Sequence, residues 1–140
     1  LLFNQSINLS TYRIPAMAEH NDLGKWGEQL IVDRLLMDGY TIMERNFRVG
    51  HLEIDIIASR DEDIVFIEVK TRRNSYENPL DAMTPTKIAQ LCRAAESYIR
   101  SRKIELIPRF DVDAVIGDGH DETAEVEYIP NAFQPPLRTY

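Results

Sequence analysis

The chain has one cysteine, Cys92, which excludes an internal disulfide. Cys92 lies in a helix-like segment, so we expect a small core residue and not a nucleophile. The histidines His20, His51 and His120 have no metal-ligand spacing with Cys92 or with one another, which argues against zinc. A glycine-rich phosphate loop is also missing, which argues against ATP hydrolysis.

Long apolar runs and targeting signals are missing as well. No window approaches the roughly 20 apolar residues that a membrane span needs. The N-terminal residues lack the basic and apolar regions of a signal peptide. Together with the lack of disulfides, this predicts a cytoplasmic protein with no membrane partner.

What is present suits one globular domain, since hydrophobic residues make up 44% of the 140 residues. Residues 1–16 show no clear period and precede Met17. We expect Met17 to be the natural start, residues 1–16 to be an upstream or disordered segment, and residues 17–140 to form a single domain.

Charge is distributed unevenly. The net charge of −7 by itself argues against nucleic acid as a partner. Residues 70–110, however, hold nine basic and four acidic residues, an excess of nine minus four, or +5. Residues 111–140 hold seven acids and one base. A locally basic segment can bind phosphates on an acidic protein; the alternative is a solvated helix face beside an acidic loop.

Hydrophobic periodicity predicts the order α-β-β-β-α-β-β. The first helix is expected over 22–38, with Asn21 or Asp22 as its N-cap and Gly39 as its stop. A second helix is expected to begin with Thr84 as its cap and Pro85 at its first position. The expected strands are 40–49, 51–59, 63–71, 109–117 and 124–130.

Two of these strands carry charges where a buried strand should be apolar. Side chains alternate along a strand, so Leu52, Ile54 and Ile56 are expected on one face of 51–59, and Asp55 on the other with Glu53. The same alternation puts Glu68 and Lys70 on one face of 63–71.

The polar turn between these strands makes them antiparallel neighbours, so Asp55 and Glu68 are expected to meet. Two adjoining carboxylates repel each other and lose hydration, which a hard divalent cation such as Mg²⁺ or Mn²⁺ relieves. Lys70 could then hold a water or offset charge on a phosphate. The fitting chemistry is metal-assisted phosphodiester hydrolysis; the alternative is a surface salt bridge between Glu68 and Lys70.

Four motifs in this order resemble the YraN family of small bacterial proteins: "GKWGEQLIVDRLLMDGYTIMERNFR", "GHLEIDIIA", "VFIEVKTRR" and "RFDVDAV". The similarity covers residues 22–133. That family resembles the archaeal Holliday-junction resolvases, which implies an α/β restriction-endonuclease-like fold, a mixed central sheet flanked by helices. It also implies a nuclease acting on DNA.

The resemblance carries over to particular residues. Asp55, Glu68 and Lys70 match the Asp…Glu-x-Lys signature of this nuclease fold. In the resolvases a glutamate of the first helix joins the metal site, and Glu28 takes that position. The resemblance thus implies Asp55, Glu68, Glu28 and Lys70 as catalytic residues, the three acids holding Mg²⁺ or Mn²⁺. Glu53 is expected to support the site or simply to belong to the fold.

Contacts with nucleic acid are expected outside the metal site. Lys87, near the start of the second helix, could meet a phosphate; the alternative is a solvated lysine. Arg72 and Arg73 could also bind phosphates, and Tyr76 could stack on an unpaired base, unless this segment is simply a mobile loop. Arg109 is expected to have a structural role with Asp111.

Two functions stay open at this point. The first is a Mg²⁺-dependent nuclease acting on branched or otherwise structured DNA, for which a homodimer would match two-fold symmetric junctions. The second is a nucleic-acid-binding or accessory protein with little or no catalysis on the same fold. A structural protein with plain salt bridges is a third, weaker reading.

Overall fold

Six strands form one mixed sheet in the computed structural model, which describes residues 8–13, 23–119 and 123–135. The strands run in the order β1-β6-β5-β4-β3-β2; β4 and β5 are parallel, and the other neighbours are antiparallel. Their bounds are β1 Asn8–Arg13, β2 Thr41–Val49, β3 Leu52–Arg60, β4 Asp63–Arg72, β5 Ile107–Ile116 and β6 Thr123–Ile129. The expected α/β class and mixed sheet are confirmed.

Two α-helices flank this sheet within the described residues, α1 over Leu23–Met37 and α2 over Pro85–Arg102. The hydroxyl of Thr84 accepts a hydrogen bond from the backbone N–H of Lys87 at 3.2 Å, and Pro85 follows at the first helical position. The cap predicted from the sequence is therefore confirmed. None of the described helices is long and apolar enough to cross a membrane.

Some predictions fall on residues that the structure does not describe. These are the N-cap candidates Asn21 and Asp22, the expected start Met17, and two of the three histidines, His20 and His120. A short 3₁₀ helix, Pro79–Ala82, lies in the segment between β4 and α2, where no helix is predicted. It begins where the side chain of Asn78 accepts a hydrogen bond from the N–H of Leu80 at 3.0 Å.

Strand β1 lies outside the predicted domain, which begins at residue 17. Its six residues pair antiparallel with β6, from Asn8 opposite Tyr128 to Arg13 opposite Thr123. Main-chain pairing at a sheet edge does not require an apolar side-chain pattern, and this explains why periodicity gave no signal for "NLSTYR". The boundary at Met17 stays a prediction.

Both faces of the sheet are buried. On the α2 face, Ile64 and Phe66 of β4 belong to a core with Tyr98 and Phe110. On the α1 face, Val65 and Ile67 belong to a core with Trp26, Leu30, Ile31 and Leu35. Strand β4 is thus apolar on both faces, as its continuous run of hydrophobic residues indicates. A charged residue within it needs specific partners.

A glycine brings α1 onto β4. Gly27 is buried, and a Cβ added there would lie 1.9 Å from Oγ1 of Thr71 and 3.0 Å from its Cβ. The sequence predicts glycines at this contact, and it is Gly27 that makes it, whereas Gly24 is exposed. The close approach positions the next residue, Glu28, near the sheet.

Replacing Gly27 with Ala should therefore destabilise the protein, although Ala is the better helix former. We expect a loss of about 1–3 kcal/mol, typical of an overpacked core. Adding Thr71→Ala should recover part of it, because the hydroxyl and methyl groups leave while the 3.0 Å contact to Cβ remains. Chemical denaturation of wild type, both single variants and the double variant tests this. A Gly27→Ala protein as stable as wild type would contradict the close approach.

Candidate active site at the fork between two strands

The candidate site lies where β3 and β4 stop pairing. Their register runs from Arg60 opposite Asp63 to Ile56 opposite Ile67 and ends there. Strand β4 continues beside β5, and β3 continues beside β2. Asp55 is the first residue of β3 beyond the ladder, and Glu68 is the first of β4. The sheet forks between these two carboxylates.

Asp55 takes over a main-chain hydrogen bond at the fork. Its Oδ2 accepts from the backbone N–H of Val69 at 2.8 Å. This N–H would otherwise need a carbonyl on a neighbouring strand, because buried backbone donors are almost always paired. The bond fixes the Asp55 carboxylate against β4, next to Glu68.

The side-chain alternation predicted for β3 is wrong at this point. Leu52 and Ile54 pack with the core on the α2 face, whereas Ile56 packs with the core on the α1 face. The three residues do not share a face, and the change falls at Asp55, where the pairing with β4 ends and Asn46 on β2 has a positive φ. On β4 the prediction is confirmed, since Ile64 and Phe66 face α2 while Val65 and Ile67 face α1.

Glu68 is buried and meets two ammonium groups. It is 6% exposed, and its Oε1 lies 3.2 Å from Nζ of Lys70 and 3.5 Å from Nζ of Lys87. Its other oxygen, Oε2, is buried and has no hydrogen-bond partner in the structure. An unmet buried acceptor is costly, so Oε2 is suited to receive a further donor or a cation.

Asp55 has an excess of negative charge around it. Burial, followed by the charge of Glu68, raises its pKa to about 7, and the charges of Glu28 and Glu53 add to the rise. The hydrogen bond from Val69 acts in the opposite direction. The lysines on Glu68 therefore do not compensate the whole cluster.

Glu28 and Glu53 share one neutral partner that the sequence did not reveal. When the side-chain amide of Asn46 is oriented to satisfy its hydrogen bonds, its nitrogen lies 3.2 Å from Oε2 of Glu28 and 3.2 Å from Oε1 of Glu53. Glu53 also pairs with Arg48 at 3.2 Å. Asparagine is disfavoured inside strands and tolerates a positive φ, and this could have drawn attention to Asn46.

Some of the carboxylates at the fork are suitable ligands for a hard divalent cation, but they do not form a complete metal centre. Among residues 8–13, 23–119 and 123–135, no three Asp, Glu, His or Cys side chains form a ready-made metal centre. Mg²⁺, however, keeps several waters and commonly uses only one or two carboxylates. The unpartnered oxygen of Glu68 and the crowded carboxylate of Asp55 are suitable ligands for it.

The predicted nucleic-acid contacts lie in two places. Lys87 reaches the fork from the first turn of α2. Arg72 ends β4 and contacts the carboxylate of Glu77 within the protein. Arg73 is exposed, and Tyr76 is 91% exposed, both in the segment that follows β4. The fork and this segment are therefore joined by the last residues of β4.

Two other groups have structural roles. Arg109 donates from Nε and Nη2 to both oxygens of Asp111 at 3.0 Å, as predicted, and Nη2 also donates to the hydroxyl of Tyr40 at 3.1 Å. Asp111 and Asp113 are buried in β5 and not part of an acidic loop.

Burial raises the pKa of the Cys92 thiol to about 11, which keeps it protonated and unreactive.

Fold and site together define an α/β protein whose sheet is buried on both faces and carries a carboxylate–lysine cluster at a fork between two strands. The chain belongs to the uncharacterised protein family UPF0102, whose model matches residues 27–115, and this confirms the resemblance to the YraN family. A UPF0102 protein of Bacteroides thetaiotaomicron is 43% identical over 122 residues, 86% of this chain and 99% of its own length. One of Flavobacterium psychrophilum is 42% identical over 118 residues, 84% of this chain and 98% of its own length.

The raised pKa of Asp55 predicts how stability depends on pH in a chelator. The native protein holds the Asp55 proton up to about pH 7, whereas the unfolded chain loses it near pH 4. The native state thus binds more protons between these values, so the free energy of unfolding should fall as pH rises through this window.

Asp55→Asn should remove this fall, because the amide has no proton to lose in this pH range. Its oxygen can still accept the hydrogen bond from the N–H of Val69. Between pH 4 and pH 8 the variant should gain on the order of 4 kcal/mol relative to wild type. Urea denaturation at both pH values measures the difference, with the exposed Asp61→Asn as the control. A pH dependence identical in wild type and Asp55→Asn would contradict the raised pKa of Asp55 in the native protein.

Proposed function

We propose that this protein is a Mg²⁺-dependent nuclease that hydrolyses phosphodiester bonds in DNA, with branched or otherwise structured DNA as its substrate. The observation that carries the proposal is the meeting of Asp55 with Glu68 and Lys70 at the fork. The fork, the helix glutamate near it and the mixed sheet are compatible with a restriction-endonuclease-like arrangement.

The acids would hold the cation. Asp55 and Glu68 are the ligands from the two strands, and Glu28 completes the cluster from α1. A bound Mg²⁺ or Mn²⁺ would supply Lewis acidity toward the phosphate and the attacking water. Cation binding would also offset the two effects that raise the pKa of Asp55, its burial and the repulsion from Glu68.

Lys70 has a different task, since a protonated ammonium offers only donors and cannot bind a metal. Its Nζ lies 3.2 Å from Glu68, at the edge of the cluster. There it can orient water or stabilise charge that develops on the phosphate. In hydrolysis the water oxygen bonds to phosphorus and loses a proton, while the bond to the leaving sugar oxygen breaks and that oxygen gains a proton.

Nucleic acid would approach along the end of β4. The excess of +5 over residues 70–110 supplies an attraction for phosphates that the whole chain, at −7, does not. Lys87 lies at the fork, and Arg72, Arg73 and Tyr76 follow β4. A homodimer would match a two-fold symmetric junction, and a cytoplasmic location would suit action on DNA; both stay predictions.

The second candidate is a nucleic-acid-binding or accessory protein with little catalysis. One observation favours it: Glu68 already has two ammonium partners, Lys70 and Lys87, which compensate its charge without a cation. In that case the cluster would be a buried ion-pair network. Metal titration and cleavage separate the two candidates.

The two classes of site residue should respond differently to substitution. Glu68→Gln should lose both Mn²⁺ binding and cleavage, because the variant no longer offers this carboxylate as a ligand. Lys70→Ala should keep Mn²⁺ binding and lose cleavage by about 100-fold or more, as for other electrostatic donors. Calorimetric Mn²⁺ titration and single-turnover cleavage of duplex, flap, junction and single-stranded DNA measure both quantities.

The exposed Glu105→Gln is the matched control for Glu68→Gln and should behave as wild type. A wild-type protein that binds nucleic acid and cuts none with any divalent cation would favour the accessory protein. Full cleavage by Lys70→Ala would keep the nuclease and reject the role of Lys70.

The arginines after β4 should set the salt dependence of DNA binding. Replacing Arg72 and Arg73 together with Ala should weaken binding and reduce the slope of log K against log salt by about 0.9 for each phosphate that is no longer neutralised. The control, Arg93→Ala with Arg100→Ala, removes the same charge from exposed positions farther along α2. Equal slopes for the two double variants, measured by fluorescence anisotropy, would show that only net charge matters.

A further inference from the structure

Asn46 occupies a distinctive position in β2. Arg45 pairs with Ile56 and Phe47 with Ile54, which puts Asn46 opposite Asp55. Its φ of 51° is left-handed, a conformation that asparagine and glycine adopt more readily than other residues. The strand thus departs from regular geometry beside the fork.

The side chain of Asn46 connects two elements that are far apart in sequence. With the amide oriented to satisfy its hydrogen bonds, its nitrogen lies 3.2 Å from Glu28 on α1 and 3.2 Å from Glu53 on β3. An amide nitrogen has two hydrogens, so one group can donate to both carboxylates. The amide carries no charge and satisfies these acceptors without cancelling their negative charge, unlike the lysines on Glu68.

We propose that Asn46 is a positioning residue that tethers Glu28 of α1 to Glu53 of β3 and so holds the helix carboxylate beside Asp55 for cation binding. The role in cation binding rests on the proposed metal site. The tether itself rests on the two hydrogen bonds of the amide. A neutral tether suits a cation site, because it brings acids together and preserves the charge that attracts the ion. An arginine or lysine here would orient the same acids but compete with the cation.

The test uses the full chain with Asn46→Gly, which keeps access to positive φ and removes the amide. Asn131→Gly is the matched control, because Asn131 has a φ of 52° outside the site. In Asn46→Gly we expect Mn²⁺ to bind about tenfold more weakly by calorimetry, as for variants that lack a partner of a metal ligand. Asn131→Gly should bind Mn²⁺ as wild type does.

Glu28→Ala decides whether the effect passes through the helix carboxylate. In the Glu28→Ala background, Asn46→Gly should weaken Mn²⁺ binding much less than in wild type. Asn46→Asp, which keeps the size and replaces the donor with a further acid, is the second variant and should lose the tether as well. Undiminished Mn²⁺ affinity in both Asn46 variants, beside a wild type that binds, would overturn the inference.

A metal-free readout separates this inference from the proposed function. In a chelator, the Tm losses of Asn46→Gly and Glu28→Ala should combine non-additively by roughly 2–4 °C, since both break the same hydrogen bond. If the wild type binds no Mn²⁺ and the losses are non-additive, the proposed metal site is wrong, whereas the hydrogen-bonded link between Asn46 and Glu28 is retained. Additive losses overturn the tether whether or not Mn²⁺ binds.

Discussion

The end of the pairing between β3 and β4 is the constraint on which the candidate site depends. In a sheet buried on both faces, each main-chain N–H needs a partner, and where the ladder stops at Ile56 and Ile67 the carboxylate of Asp55 supplies one to Val69. A hydrogen bond that the fold requires thus places an acid beside Glu68. The charged residues within these strands are compatible with burial because the fork gives them partners.

Charge compensation at the fork is uneven. Glu68 faces Lys70 and Lys87, and Glu53 faces Arg48, whereas the amide of Asn46 reaches Glu28 and Glu53 without adding charge. Burial, followed by repulsion from Glu68, raises the pKa of Asp55 to about 7. Perturbed pKa values of this kind cluster at functional sites, and this is the reason for regarding the fork as the candidate site.

The rest of the fold brings two helices to this point by specific contacts. Gly27 lets α1 approach Thr71 closely enough for Glu28 to reach Asn46. The cap at Thr84 fixes the start of α2, and Lys87, whose N–H bonds to that cap, extends its ammonium to Glu68. The two helices pack on opposite faces of the sheet, yet each contributes a charged residue near the fork, Glu28 from α1 and Lys87 from α2.

The sequence by itself determined the two α-helices, the five strands from β2 to β6 and the membership of Asp55, Glu68 and Lys70 in one cluster, because periodicity, caps and a short hairpin turn are local features. It did not indicate β1, whose pairing is made by the main chain, or the break in alternation at Ile54 and Ile56. Only the tertiary structure decided that Lys87 shares Glu68 with Lys70 and that Asn46 joins Glu28 to Glu53. These contacts join residues distant in the chain, and their geometry depends on where the ladder ends and how closely the helices pack, which no local pattern encodes.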